Sequence, residues 1–178
     1  MKKLLKPVTW AAPLLALAST AAYADHPITK PTVYQNKVET ALIWVEPVTM
    51  APMPTMNKEK WDIHNEVDMH EIRGSSMGFG AGGWIPGANI ACTISKKNSD
   101  WRIVFSMMPM VANDGPHYGR NVKLDGPGVY EEMCHIDPPD WTGFFRHTDK
   151  ETGTAPYFKP YSISGSFKWL GSGKAGGY

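Results

Sequence analysis

Five side chains that can bind a metal are spread over three short segments of the sequence. His64 and Glu66 occur in WDIHNEVDMH, Met110 and His117 in MPMVANDGPHYG, and His147 in FFRHTD. Three imidazoles and a carboxylate suit zinc, iron(II) or manganese. A methionine thioether favours Cu(I), and imidazoles bind copper in both oxidation states. If the fold brings these side chains together, the set predicts a copper site.

His64 and Glu66 lie two residues apart in a stretch, residues 61–72, that alternates between apolar and polar side chains. Alternation predicts a β-strand, so both side chains project from one face, about 6–7 Å apart. The same face carries Asp68 and His70. Neighbouring carboxylates repel each other unless a cation lies between them, which favours metal binding over an ordinary solvated surface. His70 lies about 20 Å from His64, too far to share one coordination sphere.

Met110 and His117 flank a segment rich in turn residues, residues 111–116. Such a segment can fold back and direct both of its ends to one place. A single methionine packs in a core more often than it binds a metal. His147 lies in a polar stretch, where a plain loop histidine and a ligand are equally compatible with the spacing. Both interpretations stay open for these residues.

The two cysteines fall in predicted strands. Cys134 shares a strand face with Tyr130 and Ile136, which we interpret as the core face. In an oxidising compartment a buried pair of this kind predicts a disulfide between strands. Closing the loop between Cys92 and Cys134 would stabilise the fold by about 4 kcal/mol. The alternative, Cys134 beside His135 as a metal thiolate, leaves Cys92 without a role.

The chain begins with the features of an export signal. A basic start and an apolar stretch over residues 8–22 are followed by Ala22-Tyr23-Ala24, which places small residues where a signal peptidase cleaves. We therefore predict a cleavable signal peptide over residues 1–24 and a mature chain over residues 25–178. A membrane anchor is the alternative, and the short apolar stretch, interrupted by Pro13, disfavours it.

The predicted mature chain is close to neutral and has no run of basic residues. Three of the 18 basic residues precede residue 25, which leaves 15 basic and 17 acidic side chains. Neither a nucleic-acid surface nor a polyanionic partner is indicated. The 154 remaining residues are enough for one domain with a sizeable core, and no linker divides them.

Short alternating stretches predict an all-β fold. The predicted strands, from alternation or from short apolar runs, cover residues 34–45, 61–72, 90–94, 103–107, 129–136 and 161–169. No window holds a helical period longer than two turns. About seven short strands joined by turns predict an immunoglobulin-like, or cupredoxin-like, β-sandwich.

Met50, Met53 and Met56 are spaced three residues apart, with Pro52 and Pro54 between them. Prolines favour a polyproline II conformation, whose three residues per turn would line the three sulfurs along one edge. Such an edge could pass Cu(I) to the metal site. The alternative is an apolar rim at a dimer contact, and both interpretations stay open.

Four segments resemble, in order, those of the periplasmic iron-transport proteins of the FetP and Tpd type. They are GFGAGGWIPGANI, MPMVANDGPHYG, CHIDPP and RHTDKETG, and the resemblance extends from about Val38 to Trp169. It implies an immunoglobulin-like sandwich that forms a homodimer with copper bound near the subunit interface. Members of this family assist iron uptake, commonly beside an inner-membrane iron permease.

The resemblance also implies a ligand set. The family's copper ligands correspond to His64, Met110, His117 and His147. Glu66 is an adjacent carboxylate that can bind the metal or shift it. The oxygens of Glu66 and Asp68 suit iron or manganese at a neighbouring site, and a fixed copper could exchange one electron with iron.

The sequence therefore predicts a periplasmic, dimeric, copper-containing accessory protein of iron uptake, with no turnover required. Three other classes stay open: a copper carrier or storage protein, a copper-dependent ferrous oxidase, and a metal-free binding module. Iron-limited growth of a deletion strain tests the first. Steady-state iron oxidation tests the second, and stability under chelation tests the third.

Overall fold

The structure is a computed structural model that describes residues 25–52 and 61–171. The predicted signal peptide and the side chains of Met53 and Met56 lie outside the described residues. Within the described part of the chain, no helix has the length and apolar character needed to cross a membrane.

Over residues 25–52 and 61–171, antiparallel strands provide almost all of the regular structure. In chain order they are β1 (His26–Pro27), β2 (Thr32–Tyr34), β3 (Val38–Val45), β4 (Ile63–Glu71), β5 (Asn89–Lys96), β6 (Arg102–Ser106), β7 (Met108–Ala112), β8 (Gly115–Val122), β9 (Gly128–Asp137) and β10 (Tyr161–Trp169). One 3-10 helix, Pro139–Thr142, follows β9.

The strands form two sheets that enclose a hydrophobic core. The first sheet has the order β1-β3-β4-β8-β7, with β2 also paired to β3, and the second has the order β10-β9-β5-β6. Leu42 and Val67 of the first sheet and Ile94 and Ile136 of the second are fully buried in one apolar cluster. The predicted all-β, immunoglobulin-like sandwich is confirmed.

Strand β4 lies between β3 and β8 near the middle of the first sheet. Its inward residues Ile63, Val67 and Met69 are completely buried. The alternation puts His64 and Glu66 on the opposite, outer face of the sheet. The strand predicted around residues 61–72 is therefore correct in position and in the direction of its side chains.

The turn-rich segment after Met110 is shorter than the sequence suggested. Strands β7 and β8 form a hairpin joined by Asn113 and Asp114, and Met110 lies directly opposite His117 in its register. The prolines at positions 109 and 116 concealed these strands, because proline cannot donate to a sheet ladder. It is tolerated in β7, which is an edge strand, and near the start of β8.

A disulfide joins the two central strands of the second sheet. Cys92 of β5 and Cys134 of β9 are register partners with their Cα atoms 4.0 Å apart, and their sulfurs are bonded. The predicted disulfide is confirmed. The alternative of a Cys134 thiolate ligand is excluded because both sulfurs are used in the bond.

A buried carboxylate holds the glycine-rich segment that follows β4. Glu71 accepts hydrogen bonds from the backbone N–H groups of Met77 and Phe79, each at 2.6 Å, and from the Ser75 hydroxyl. Burial alone would raise the pKa of Glu71, but these donors outweigh it and lower the pKa. The GFGAGGWIPGANI segment is thus anchored at the Glu71 end of β4.

Candidate metal site

The outer face of the first sheet gathers most of the predicted ligands. In the β4–β8–β7 ladder, Glu66 is opposite Gly119, and Gly119 is opposite Met108. Residues paired in this way share a sheet face, and so do residues two apart on a strand. The same face therefore carries His64 from β4, as well as Met110 and His117 from the hairpin.

Gly119 leaves a hollow in the middle of this face. A Cβ atom at Gly119 would lie 2.6 Å from His64 Nε2 and 3.1 Å from Met110 Sδ. The imidazole nitrogen and the thioether sulfur therefore converge on one point that any larger residue would fill. We call this space the Gly119 hollow.

Two imidazoles turn nitrogen atoms towards the carboxylate beside the hollow. His64 Nε2 lies 3.6 Å and His117 Nε2 lies 3.8 Å from Glu66 Oε1. Both nitrogens are buried and have no hydrogen-bond partner among the described residues. One ligand atom from each of the three residues lies within 4.8 Å of the other two. Buried polar atoms are normally paired, so two unpaired nitrogens facing one carboxylate indicate a place for a cation.

The orientation of His64 is set by Asn121. Asn121 Oδ1 lies 2.8 Å from His64 Nδ1. Because an amide oxygen only accepts, Nδ1 carries the proton and Nε2 keeps its lone pair for a metal. The same amide binds the backbone of Val48, accepting from its N–H at 3.3 Å and donating to its carbonyl at 2.6 Å. Asn121 therefore connects His64 to residues 48–52, which we call the strap.

The electrostatics of the site keep His64 neutral and make Glu66 harder to ionise than an exposed glutamate. Burial and, to a smaller extent, the charge of the nearby His117 lower the pKa of His64 to about 4, although the hydrogen bond that His64 donates to Asn121 acts in the opposite direction. Burial raises the pKa of Glu66 to about 7, with contributions from Asp68 and other acidic groups. A bound cation would favour the ionised form of Glu66 and so lower its pKa.

Two cavities open on either side of Glu66 and His117. The first, of about 610 Å³, lies over the Gly119 hollow between the strap and β7, and we call it the site cavity. The second, of about 320 Å³, is the acidic cavity. It is lined by Asp25, Glu66, Asp68, His70, Asp114 and His117, among others. His70 is thus placed in the second cavity and away from His64, as its distance along the strand indicated.

His147 is the one predicted ligand that the fold does not bring to the hollow. Its side chain is 74% exposed, and its Nδ1 lies 2.8 Å from Thr152 Oγ1. The His147 carbonyl accepts from Thr154 N–H, and Ala155 N–H donates to the Ser76 carbonyl. This loop is therefore attached beside the segment that Glu71 anchors, roughly 23 Å along β4 from His64.

Sequence reasoning missed three residues of this site. Asn121 is an ordinary polar residue in the sequence, and nothing there shows that it meets both His64 and the strap. Asp114 was assigned to a turn, which is correct, but its place in the acidic cavity depends on the hairpin register. The role of Gly119 depends on the side chains that occupy the space beside it, His64 and Met110, and the sequence does not show that these meet there.

A β-sandwich that gathers two imidazoles, a thioether and a carboxylate on an outer sheet face defines a candidate metal-binding protein. Residues 22–171 match the family described as Fe2+ transport protein. The chain belongs to this family.

Several relatives are similar over the full length of their own chains. A UPF0423 protein of Brucella abortus is 39% identical over 183 residues, covering 100% of both chains. The structure of FetP from uropathogenic E. coli strain F11 is 39% identical with a TM-score of 0.78, covering 85% of this chain and 100% of FetP. Copper-reconstituted P19 from Campylobacter jejuni is 34% identical with a TM-score of 0.78, covering 85% and 99%.

Proposed function

We propose that this protein is an exported, copper-binding accessory protein of iron uptake. Copper is held by His64, Met110 and His117, with Glu66 beside it. The observation that carries the proposal is the convergence of His64 Nε2 and Met110 Sδ on the Gly119 hollow, next to a second buried and unpaired imidazole nitrogen. This donor set of soft sulfur and imidazole nitrogen suits copper in both oxidation states.

Relatives of known structure support the choice of copper. A FetP variant is copper-bound, and so is a P19 variant. The FetP protein of the similar structure was expressed in the periplasm. Together with the predicted signal peptide over residues 1–24, this supports export of the present chain to the periplasm.

We further propose that the protein is a homodimer in which His147 reaches the copper of a second copy. Within one chain His147 belongs to a loop at the other end of β4 and is largely exposed. Trp141 and Phe145 of the same loop region are 67% and 80% exposed. Large aromatic side chains exposed together favour a protein contact, and a second copy that covers them would bring His147 with it.

The acidic cavity is the proposed site for iron or manganese. Its carboxylates, from Asp25, Glu66, Asp68 and Asp114, are the hard oxygen ligands that these ions accept. Burial raises the pKa of Asp68 and outweighs the opposing effect of His70 and His117, and a cation would remove this cost of burial. Because Glu66 and His117 line both cavities, the two metals would lie close enough for copper to exchange one electron with iron.

This arrangement supports the physiological role that we propose. The acidic cavity would hold iron, and the neighbouring copper would exchange one electron with it, so that oxidation of one metal is matched by reduction of the other. The iron would then pass to an inner-membrane iron permease. The proposed role does not include repeated oxidation of iron in solution, and in this respect it differs from that of a copper-dependent ferrous oxidase. A copper carrier or storage protein would leave the acidic cavity without a use.

Metal analysis and growth test the proposal together. Protein isolated from the periplasm should contain copper, and Met110→Leu should lower the Cu(I) affinity while leaving folding nearly unchanged, since leucine conserves volume. A deletion strain should grow poorly when iron is limiting. Growth should be restored by the wild-type protein and less well by His64→Ala. Normal iron-limited growth of the deletion strain would contradict the iron role and favour the copper carrier.

A further inference from the structure

Among the residues that the structure describes, three methionines line the site cavity, and the proposed copper site uses one of them. Met50 lies on the strap, and Met108 and Met110 lie on β7. Met69, Met77 and Met107, by contrast, are buried in the hydrophobic core. Core packing therefore does not explain why Met50 and Met108, both half-buried, occur at this cavity.

Met108 is placed next to the hollow by the sheet register. It is the partner of Gly119, and it lies two residues before Met110 on the same face of β7. The backbone positions of Met108 and Met110 are about 6–7 Å apart. Two flexible thioether side chains at this separation can bind the same ion one after the other.

Met50 is held at the cavity by the anchored strap. Asn121 binds both the N–H and the carbonyl group of Val48, two residues before Met50. The cavity wall around the sulfurs is otherwise largely apolar, with Val48, Pro52, Pro109 and Val111 among its lining residues. Glu66 also lines this cavity, but its carboxylate is a hard ligand, so the soft thioethers are the groups of this wall that Cu(I) prefers.

The chemistry of the thioether suits capture and release. A methionine sulfur is a soft, uncharged donor, so it binds Cu(I) without first losing a proton and does not attract hard cations. A pair of imidazoles with a thioether binds more strongly than thioethers alone. A cation that reaches the methionines would therefore move inwards to the hollow.

We propose that Met50 and Met108, which line the site cavity, capture Cu(I) and pass it to Met110, His64 and His117. The inference rests on the copper site proposed above and assigns to it a route of loading. In the transfer, copper exchanges one thioether for another and then for imidazole nitrogen. The oxidation state stays Cu(I), and no proton is released by the methionines.

The test compares the rate of loading with the strength of binding. Cu(I) is supplied without oxygen as its coloured bicinchoninate complex, and loss of the colour is followed by stopped flow for the wild type and for the double variant Met50→Leu/Met108→Leu. The double variant should capture Cu(I) several-fold more slowly, with the same equilibrium Cu(I) affinity and the same rate of Cu(II) uptake. Near-UV circular dichroism verifies that the variant is folded.

Met133→Leu is the matched control. Met133 lies half-exposed on the outer face of the second sheet, and this variant should load at the wild-type rate. Equal rates for the wild type and the double variant would overturn the proposal. An equilibrium affinity that falls as much as the rate would overturn it too, because the methionines would then be permanent ligands. A wild-type protein that takes up no Cu(I) would instead overturn the proposed copper site.

Discussion

Burial prepares His64 for a metal before any metal is present. The side chain is 1% exposed, and its pKa of about 4 keeps the ring neutral throughout the physiological range. Asn121 then fixes the proton on Nδ1, so that the lone pair of Nε2 faces the Gly119 hollow. A protein that leaves such a nitrogen unpaired gives up stability unless a ligand occupies the place.

Glu66→Gln tests which residue makes metal binding depend on pH. The raised pKa of Glu66, about 7, means that the carboxyl must lose a proton when it binds a metal below that pH. Copper affinity of the wild type should therefore fall as the pH is lowered through about 7, while His64, with a pKa of about 4, adds nothing in this range.

The glutamine variant has no proton to lose at this position. Its copper affinity, measured by competition with a chelator at several pH values on both sides of neutrality, should change less steeply than that of the wild type. Identical slopes would show that Glu66 does not ionise when copper binds. Glu131→Gln is the matched control, since Glu131 lies on the exposed outer face of the second sheet and does not line the site cavity.

At the scale of the elements, the sequence predicted strands where the alternation of side chains was regular. The period of two in β4 and β10 was visible, and with it the direction of His64 and Glu66. The β7–β8 hairpin was concealed by its prolines and glycines, and the exact partner of Met110 depends on a register that local sequence does not fix. The position of His147 depends on contacts with a segment about 70 residues earlier in the chain.

Gly119→Ala tests the hollow that the hairpin creates. The added methyl group would lie 2.6 Å from His64 Nε2, so the ligand must move away. We expect copper affinity to fall by about 10- to 100-fold, the loss typical of a disturbed ligand support. Gly128→Ala is the control, because its methyl group would meet only the flexible Lys96 side chain. Wild-type affinity in the Gly119→Ala variant would show that copper does not occupy the hollow.

A buried acid connects the disulfide sheet to the site strand. Glu132 Oε1 lies 3.2 Å from Cys134 Sγ, and Asn65 Nδ2 donates to Glu132 Oε2 at 2.9 Å. A disulfide sulfur has no proton to donate, so the carboxyl group must be the donor in this contact. Complete burial raises the pKa of Glu132 to about 8, which agrees with a protonated acid. Asn65 lies between His64 and Glu66 on β4, with its side chain directed inwards.

Glu132→Gln should remove part of the pH dependence of stability. Because the folded state raises the pKa of Glu132, its stabilising contribution is complete below the ordinary glutamate pKa and decreases as the pH rises through about 8. Glutamine imitates the protonated acid and stays neutral. The free energy of unfolding of the variant, measured with urea, should therefore gain on that of the wild type as the pH rises from about 4.5 to about 8, and the difference should stay constant above that pH. Glu131→Gln, on the exposed face, should follow the wild type.

On the scale of the whole molecule, the proposed site is incomplete within one chain. The first cavity provides three donors and the neighbouring carboxylate, whereas His147 and the exposed aromatic side chains lie on a different part of the surface. In a symmetric dimer each copy would provide this surface to the other. The number of complete sites would then depend on how the chains are combined.

Mixed dimers test this exchange directly. His64→Ala and His147→Ala chains, carrying different affinity tags, are refolded together and the mixed dimers are isolated. If His147 binds the copper of the second copy, each mixed dimer has one site with both histidines and one site with neither. One high-affinity copper per mixed dimer is expected, and none in either parent. If both histidines served the same chain, the mixed dimer would also bind none with high affinity.

The amide of Asn121 has a consequence for the motion of the protein. It bonds at once to a proposed ligand and to the strap, so any opening of the strap at Val48 disturbs the support of His64. Thermodynamic linkage requires the reverse as well: a ligand that fixes His64 must make the strap open less often. Copper should therefore slow hydrogen exchange at the Val48 amide more than at Val104, which lies in the edge strand of the other sheet. Equal effects at both amides would mean that copper stabilises the whole molecule. The opening of the strap would then not be coupled specifically to the metal bound at His64.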